Sequence, residues 1–446
     1  MKFHSPWLDF DRANWPSLQS DTDCEVALIG AGISGLATLY YLLTTTNKRV
    51  ALFEQGHVAS GASGNNAGIS VPAIEKSTKE LIDEYGLAIT KNTFKRLDEA
   101  RDIIHAIHEE IGLLDNITTF SYAAFGFNSI DLLLESLEEH HLQEQIGRSH
   151  WRYLLKEDLK DSIPSQYLSS IELVSHPAVL NALKSEDPEY ICAAVRKEPM
   201  QGDRMNSARF CYKLLEYLCV KFPERVRVYE HTPIYAIDLY SDRQILRCDA
   251  GKVDCQDLIL CTNGYTDFTI HDHVRKRPFT KLHNTMTARE GYIASYIDPT
   301  PNSFAIGYLH DCPSYNDCPY WYVSHASMTT GGATTISYIG GPEFDYKGPV
   351  TETWFEDRGK ESLQLIKNFL KITFNQTPKT FPFFWHGKMG YTKNSLRLVG
   401  ADKNFPHLWY NLGCNGIGIL PAIVGAKMIA DAMNGHPPQA SLFAPL

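Results

Sequence analysis

Cys24-Glu25-Val26-Ala27-Leu28-Ile29-Gly30-Ala31-Gly32-Ile33-Ser34-Gly35 decides the fold class. Its first six residues are a short apolar run of strand type, stopped at once by Gly30, and the apolar spacing that follows predicts a helix over Ile33 to Leu43. Arg49-Val50-Ala51-Leu52-Phe53-Glu54 reads as a second strand ending on an acid. Strand, tight turn, helix and strand in that order, with the turn spelled Gly-x-Gly-x-x-Gly, form the dinucleotide-binding unit of doubly wound α/β proteins. Gly30 permits the turn, Gly32 lets backbone approach a pyrophosphate at the positive end of the helix dipole, and Gly35 lets helix and sheet pack closely. Ala31, Ile33 and Ser34 complete the turn. Glu54, with Gln55 after it, stands where an acid accepts hydrogen bonds from ribose hydroxyls. A glycine-rich turn without a ligand is the competing reading, and strand, helix and acid together argue against it.

Around this unit the chain has 446 residues, 43% of them apolar, and a formal charge of −10. That composition excludes disorder as the main state and predicts two or three lobes, each with a core. No apolar run approaches the roughly 20 residues of a membrane-spanning helix. Met1 to Ser20 lacks a basic start followed by an apolar stretch and reads as an ordered arm carrying Trp7 and Trp15. The ten Cys are scattered, without Cys-x-x-Cys or a zinc-like His spacing, so no metal site is predicted and a reducing cytoplasmic setting is expected. Cys312 and Cys318 could bridge in an oxidising setting, and the expected reducing one argues against it. The acidic balance makes nucleic acid a poor partner.

Further along, residues 78 to 112 read as a long amphipathic helical stretch, and 129 to 200 as mixed and charge-rich. A strand-rich block covers Arg225 to Tyr229, Ile234 to Tyr240, Gln244 to Cys248 and Leu258 to Thr262. Residues 280 to 345 are β-like and aromatic, and 352 to 375 look helical. A last strand at Leu408-Trp409-Tyr410 leads to a glycine-rich turn and a helix to Met433, closed by Asn434-Gly435.

Two further segments carry chemistry. Ser60-Gly61-Ala62-Ser63-Gly64-Asn65-Asn66-Ala67-Gly68 places small and hydrogen-bonding residues just past the ribose acid, where a long extended cofactor would continue. A flavin needs such groups; a flexible Gly/Ser loop is the alternative. Asn411-Leu412-Gly413-Cys414-Asn415-Gly416-Ile417-Gly418 leads into a helix whose Pro421 falls in the first turn. That helix start presents unpaired N–H groups and a positive dipole end, suited to charge on a reduced flavin.

Taken together, the chain resembles the flavin-dependent D-amino-acid-oxidase superfamily of glutathione-reductase-type fold. The resemblance rests on these motifs, on Cys261-Thr262-Asn263-Gly264-Tyr265 at a strand end, and on Trp385-His386-Gly387-Lys388-Met389-Gly390-Tyr391-Thr392. The Trp-containing arm and 385 to 392 look most like the branch with γ-glutamylputrescine oxidase. The resemblance implies FAD held by Gly30 to Gly35, Glu54, the loop from Ser60 to Gly68 (Ser63, Asn65, Asn66 and Ala67 within it), Ile234, Thr262 to Gly264, and Gly413 with Asn415, Gly416, Ile417 and Gly418. It implies a Rossmann-like FAD domain (1–80, 200–272 and 386–446) with an inserted α+β substrate domain on an antiparallel sheet (81–199 and 273–385). The activity implied is oxidation of a C–N bond of an amine or amino acid to an imine, with hydride passing to flavin N5 and electrons going to oxygen or another acceptor.

Departures from the family pattern narrow this. Amino-acid-oxidising relatives clamp the substrate carboxylate with the Arg of Trp-x-Gly-x-Arg, and here Met389 stands in its place; Lys388, Arg289 or Arg397 would have to substitute. Where covalent relatives carry a Cys or His attaching FAD, this chain has no Cys between Cys318 and Cys414 and has Asn65 and Asn66, so noncovalent FAD is expected. Asp-x-x-Pro of the family becomes Asn394-Ser395-Leu396-Arg397. The aromatic run Tyr308, His310, Tyr315, Tyr320, Trp321, Tyr322 falls where the substrate sheet should face the flavin, and His310, Tyr320, Trp321 and Met389 are the expected catalytic set, with His325 a further proton acceptor. Ordinary sheet aromatics are the alternative for each. A tRNA wobble-uridine aminomethyl oxidoreductase and a non-catalytic flavin carrier are the alternative functions.

Overall fold

The structure is a computed structural model that describes the chain except residues 149–150, 197–201, 299–301, 312–319, 328–334, 347–357, 377, 379, 437–439 and 444–446. The strand Thr22–Ile29 lies between two parallel partners, Val50–Phe53 and Gly251–Leu260. Val226–Tyr229 extends the sheet beyond Val50–Phe53, and Leu408–Leu412 pairs in parallel with the end of Gly251–Leu260. Val26 to Ile29 and Val50 to Phe53 are buried without alternation, as expected for parallel strands covered on both faces. One face packs on helices Ile33–Thr45, Leu87–Glu110, Ser207–Lys221 and Ile419–Met433, which share one core. Ala27, Ile29, Ala51 and Phe53 face the other core, with Ile237, Leu239 and Leu246 from the strands Ala236–Leu239 and Gln244–Cys248.

A second sheet runs in the order Phe384–Thr392, Met286–Ile297, Thr335–Asp345, Tyr320–Ser327, Phe304–Leu309, Tyr122–Phe127, Cys192–Arg196, Trp151–Lys156, Ile171–Val174. It is mixed rather than antiparallel throughout: Phe304–Leu309 runs parallel to Tyr122–Phe127, and Trp151–Lys156 to Ile171–Val174. Residues 386–392, grouped by sequence with the cofactor lobe, pair with Met286–Ile297 in this second sheet. Asp203–Met205 joins neither large sheet and binds Ile69–Ser70 and Ile117–Thr119 in a small third one. The helical stretch at 78 to 112 is two helices, Thr78–Tyr85 and Leu87–Glu110, parted at Gly86, whose φ of +82° breaks the helical path. Of the span 352 to 375, helix Lys360–Phe374 is present and residues 352–357 lie outside the described residues.

The N-terminal arm is ordered, as expected. Trp7 is buried, stacks on Tyr338 at 5.1 Å, and donates its indole N–H to the Asn66 carbonyl at 2.7 Å. Backbone N–H groups of Trp15 and Val58 both donate to buried Glu230, which ties the arm to the loop after Glu54. Among the described residues no helix is long and apolar enough to cross a membrane. Cys312, Cys318 and Tyr315 lie outside the described residues.

Candidate active site

Three neighbouring parallel strands, Thr22–Ile29, Gly251–Leu260 and Leu408–Leu412, point the same way. Their carboxyl ends therefore deliver Gly30–Gly35, Thr262–Gly264 and Gly413–Gly418 to one edge of the sheet, where open α/β sheets bind ligands. All three segments line one cavity of about 1010 Å³. Gly30 has φ +102°, and a Cβ there would sit 2.7 Å from the Cys261 carbonyl oxygen, so the first turn is laid directly against the neighbouring strand's exit. Asn263 Oδ1 accepts from the Cys414 N–H at 3.0 Å, and Asn411 donates to Thr38 Oγ1 at 3.2 Å. Turns from opposite ends of the chain thus meet.

Of the residues expected to hold the cofactor, Gly30, Gly32, Ile33, Ser34, Glu54, Gln55, Ser63, Asn65, Asn66 and Ala67 line the cavity, as do Ile234, Thr262, Asn263, Gly416, Ile417 and Gly418. The others stand behind that wall. Ala31 donates its N–H to Glu54 Oε2 at 2.8 Å, and Ser60 accepts from the Asn65 amide at 2.8 Å through its carbonyl. Gly35 packs on the Gly30 carbonyl, Gly68 on Trp7, Gly264 on Met389 and Gly413 on Thr392. Asn415 pins the last turn to the strand Phe384–Thr392, accepting from the Thr392 N–H at 2.7 Å and donating its own N–H to Gly390 at 2.9 Å.

The cavity is polar at its edges for identifiable reasons. Ser63 Oγ accepts the Ile33 N–H at 2.9 Å, at the open start of helix Ile33–Thr45. Buried Glu54 also accepts from Gly56 N–H at 3.0 Å; burial raises its pKa, and its backbone hydrogen bonds oppose that rise. Arg397, not anticipated as a cofactor contact, lines the cavity beside Ser34.

The other end is aromatic and acidic. Tyr320, Tyr322, Met389, Tyr391, Glu75 and Glu343 line it. Tyr391 donates to Glu343 Oε1 at 2.6 Å, and a Cβ on Gly416 would meet Tyr391 Oη at 3.2 Å and Glu75 Oε2 at 3.3 Å, so both acids and the phenol converge there. Burial and Glu343 raise the pKa of Glu75 even though it is open to the cavity. Burial and Glu343 also hold the Tyr391 phenol protonated. Of the cations that could replace the Met389 position, Lys388 pairs with Asp267 at 3.0 Å over the Tyr346 ring, and Arg289 is paired with Glu343 of this same end and with Asp345.

Two of the expected catalytic residues are misplaced by the sequence reading. Successive residues of a strand point to opposite faces. Tyr320 and Tyr322 face the cavity, so Trp321 faces away and stacks on Phe369 of helix Lys360–Phe374 at 4.6 Å. His310 is buried on that same far side, near Phe369, with Nε2 2.8 Å from the Tyr190 hydroxyl; burial lowers its pKa to about 4. His325 is buried against Ser337 and Asp298. His310→Gln is accordingly expected to lower the melting temperature while leaving the rate of substrate-driven flavin reduction within about threefold, which stopped-flow absorbance checks. Sequence pattern also gave no sign of His57, Glu230 and His231, which bring ligand atoms within 4.8 Å of one another beside the Glu54 loop.

The family model described as FAD dependent oxidoreductase (DAO) matches residues 25–432. The chain belongs to this family. It is 22% identical over 445 residues to the probable oxidoreductase OrdL of Haemophilus influenzae, covering 97% of this chain and 89% of that protein. A match to a putative Rieske 2Fe-2S iron-sulfur protein of Bacillus subtilis, YhfW, is 24% identical and covers 55% of this chain and 48% of the other. Glycine oxidase from Geobacillus kaustophilus superposes with a TM-score of 0.65 at 14% identity, covering 93% of this chain and 95% of that one. L-Amino acid deaminase from Proteus myxofaciens gives 0.65 at 13% identity, covering 99% and 97%. NikD, an amino acid oxidase of nikkomycin biosynthesis, gives 0.64 at 12% identity, covering 95% and 98%. FAD is the cofactor of this family member. Its cavity fits that group: an open helix start and a buried guanidinium at one end suit a diphosphate, and Glu54 suits a ribose.

Proposed function

We propose that this FAD-dependent oxidoreductase oxidises a C–N bond of a small amine carrying positive charge, to an imine that water then hydrolyses. The observation that carries the reading is the charge of the substrate end: Met389 in place of a carboxylate clamp, with Glu75 and Glu343 beside it. Arg289 offsets one of the two acids and leaves the other in excess. A carboxylate bound there would meet repulsion, and an ammonium would find charge-assisted acceptors and aromatic faces.

In this reading FAD is held noncovalently. The start of helix Ile33–Thr45 would face its diphosphate, Glu54 the adenosine ribose and the start of Ile419–Met433 the flavin, with Asn65, Asn66 and Thr262 also lining the cavity. Bound FAD supplies a two-electron acceptor for hydride from carbon. The chain's own part is to seat the amine against Met389, Tyr320 and Tyr322 and to hold a distal ammonium at Glu343 and Glu75. Tyr391 stays a donor and fixes the Glu343 carboxylate. The amine reacts as its neutral form, so this assignment needs no side-chain base.

Anaerobic titration of the yellow holoprotein with a panel of mono- and diamines and N-methyl amino acids tests the proposal. Diamines or aminoalkyl derivatives should bleach the flavin, and acid precipitation should release all of it. Bleaching by simple α-amino acids alone would sink the amine assignment. A peroxide assay then tells oxygen from another electron acceptor.

A further inference from the structure

We infer that Arg397 is the counter-charge for the FAD diphosphate at the start of helix Ile33–Thr45. The inference rests on FAD occupying the cavity and goes beyond it, because Arg397 stands where the family pattern has Pro.

Arg397 is 3% exposed and lines the cavity. Its Nε donates to Asn411 Oδ1 at 2.6 Å, and Nη2 donates to the Asn411 carbonyl at 3.0 Å and to Ser34 Oγ. Asn411 is itself fully buried and held by Thr38 and the Ala422 carbonyl, so the guanidinium is fixed from behind. Among the described residues no carboxylate lies within ion-pair distance of it, and Nη1 has no protein acceptor. Its three hydrogen bonds all go to neutral groups, and a buried charge with no opposite charge beside it is costly, a cost that a diphosphate would offset. Burial lowers the Arg397 pKa only to about 10, so the cation persists at neutral pH.

Position selects the ligand. Ser34 belongs to the first turn of helix Ile33–Thr45, whose N–H groups already favour an anion. Arg397 therefore reinforces the diphosphate end, and its anchorage to Ser34 and Asn411 takes it away from the role of substitute carboxylate clamp at Met389. With Nε and Nη2 anchored, Nη1 still has two N–H groups to offer phosphate oxygens from a fixed charge, which a flexible lysine could not hold in place.

Apoprotein titrated with FAD and with riboflavin, followed by flavin fluorescence, tests this. In Arg397→Met, FAD affinity should fall about 10- to 100-fold, the size of a lost charge-assisted contact, while riboflavin affinity stays within about threefold. ADP should compete with FAD in the wild type and lose most of that competition in the variant. Arg397→Lys keeps charge without the anchorage to Asn411 and Ser34 and should lie between the two; it carries the test if the Met variant does not fold. Equal loss of FAD and riboflavin affinity, or unchanged FAD affinity, would overturn the inference. A wild-type apoprotein that takes up neither flavin would instead overturn the cavity assignment.

Discussion

Replacing Gly35 by alanine is expected to cost the protein its FAD and about 3 kcal/mol of stability, the upper end of ordinary overpacking. A Cβ on Gly35 would lie 1.9 Å from the Gly30 carbonyl oxygen and 3.0 Å from Leu28 Cδ2. Neither neighbour can give way freely. Gly30 is pressed on the Cys261 carbonyl, and Leu28 is fully buried in the sheet. Relief requires the helix Ile33–Thr45 to lift from the strand that precedes it, which moves its N-terminal N–H groups away from the cavity they now line. Urea unfolding of the apoprotein reads the stability loss, and flavin absorbance of the purified protein reads the cofactor loss. A variant that stays yellow with an unchanged midpoint would show that this turn does not position the cofactor.

Glu343→Gln is expected to lower kcat/KM for a diamine about 10- to 100-fold, mostly through KM, by removing a charge-assisted acceptor of the ammonium. Glu75→Gln should have the same direction and an additional signature in pH. The pKa of Glu75 is raised, by burial first and by Glu343 second. Its attraction for a cation is present when it is ionised and is lost as pH falls through that raised value. KM of the wild type should therefore climb at a pH above the ordinary carboxylate range, and Glu75→Gln should flatten that limb. Steady-state kinetics across pH 5 to 8 at constant ionic strength checks both statements. A substrate whose KM ignores both substitutions would remove these acids from recognition.

The segments expected to hold the cofactor converge on one cavity, and they could be picked out in the sequence because their instructions are local. Gly30 to Gly35 with Glu54, the run from Ser60 to Gly68, and the Gly413 to Gly418 turn each name a backbone geometry within a few residues. Backbone geometry is what binds a dinucleotide, so short-range pattern sufficed. Asn415 and Gly413 were found by the same pattern although they buttress the wall rather than line it. The substrate half was not legible in this way. Tyr320 was expected at the cavity and lies there, while Trp321, one residue on, does not; the face a strand turns to the cavity depends on its register with Phe304–Leu309 and Thr335–Asp345. His310 was chosen for its chemistry, and packing against Tyr190 and Phe369 removed it. Glu75 and Glu343 carried no motif at all, being 268 residues apart in the chain and brought together beside Gly416 and Tyr391.

What the amino-acid sequence determined by itself was the strand–turn–helix–strand unit and its dinucleotide character, since each is a property of residue type and spacing along the backbone. What the tertiary structure alone decided was which side chains share the cavity. Parallel pairing brings the ends of Thr22–Ile29, Gly251–Leu260 and Leu408–Leu412 together, and the pleat of the second sheet sorts its aromatics between cavity and core. Both are long-range contacts that no local pattern specifies.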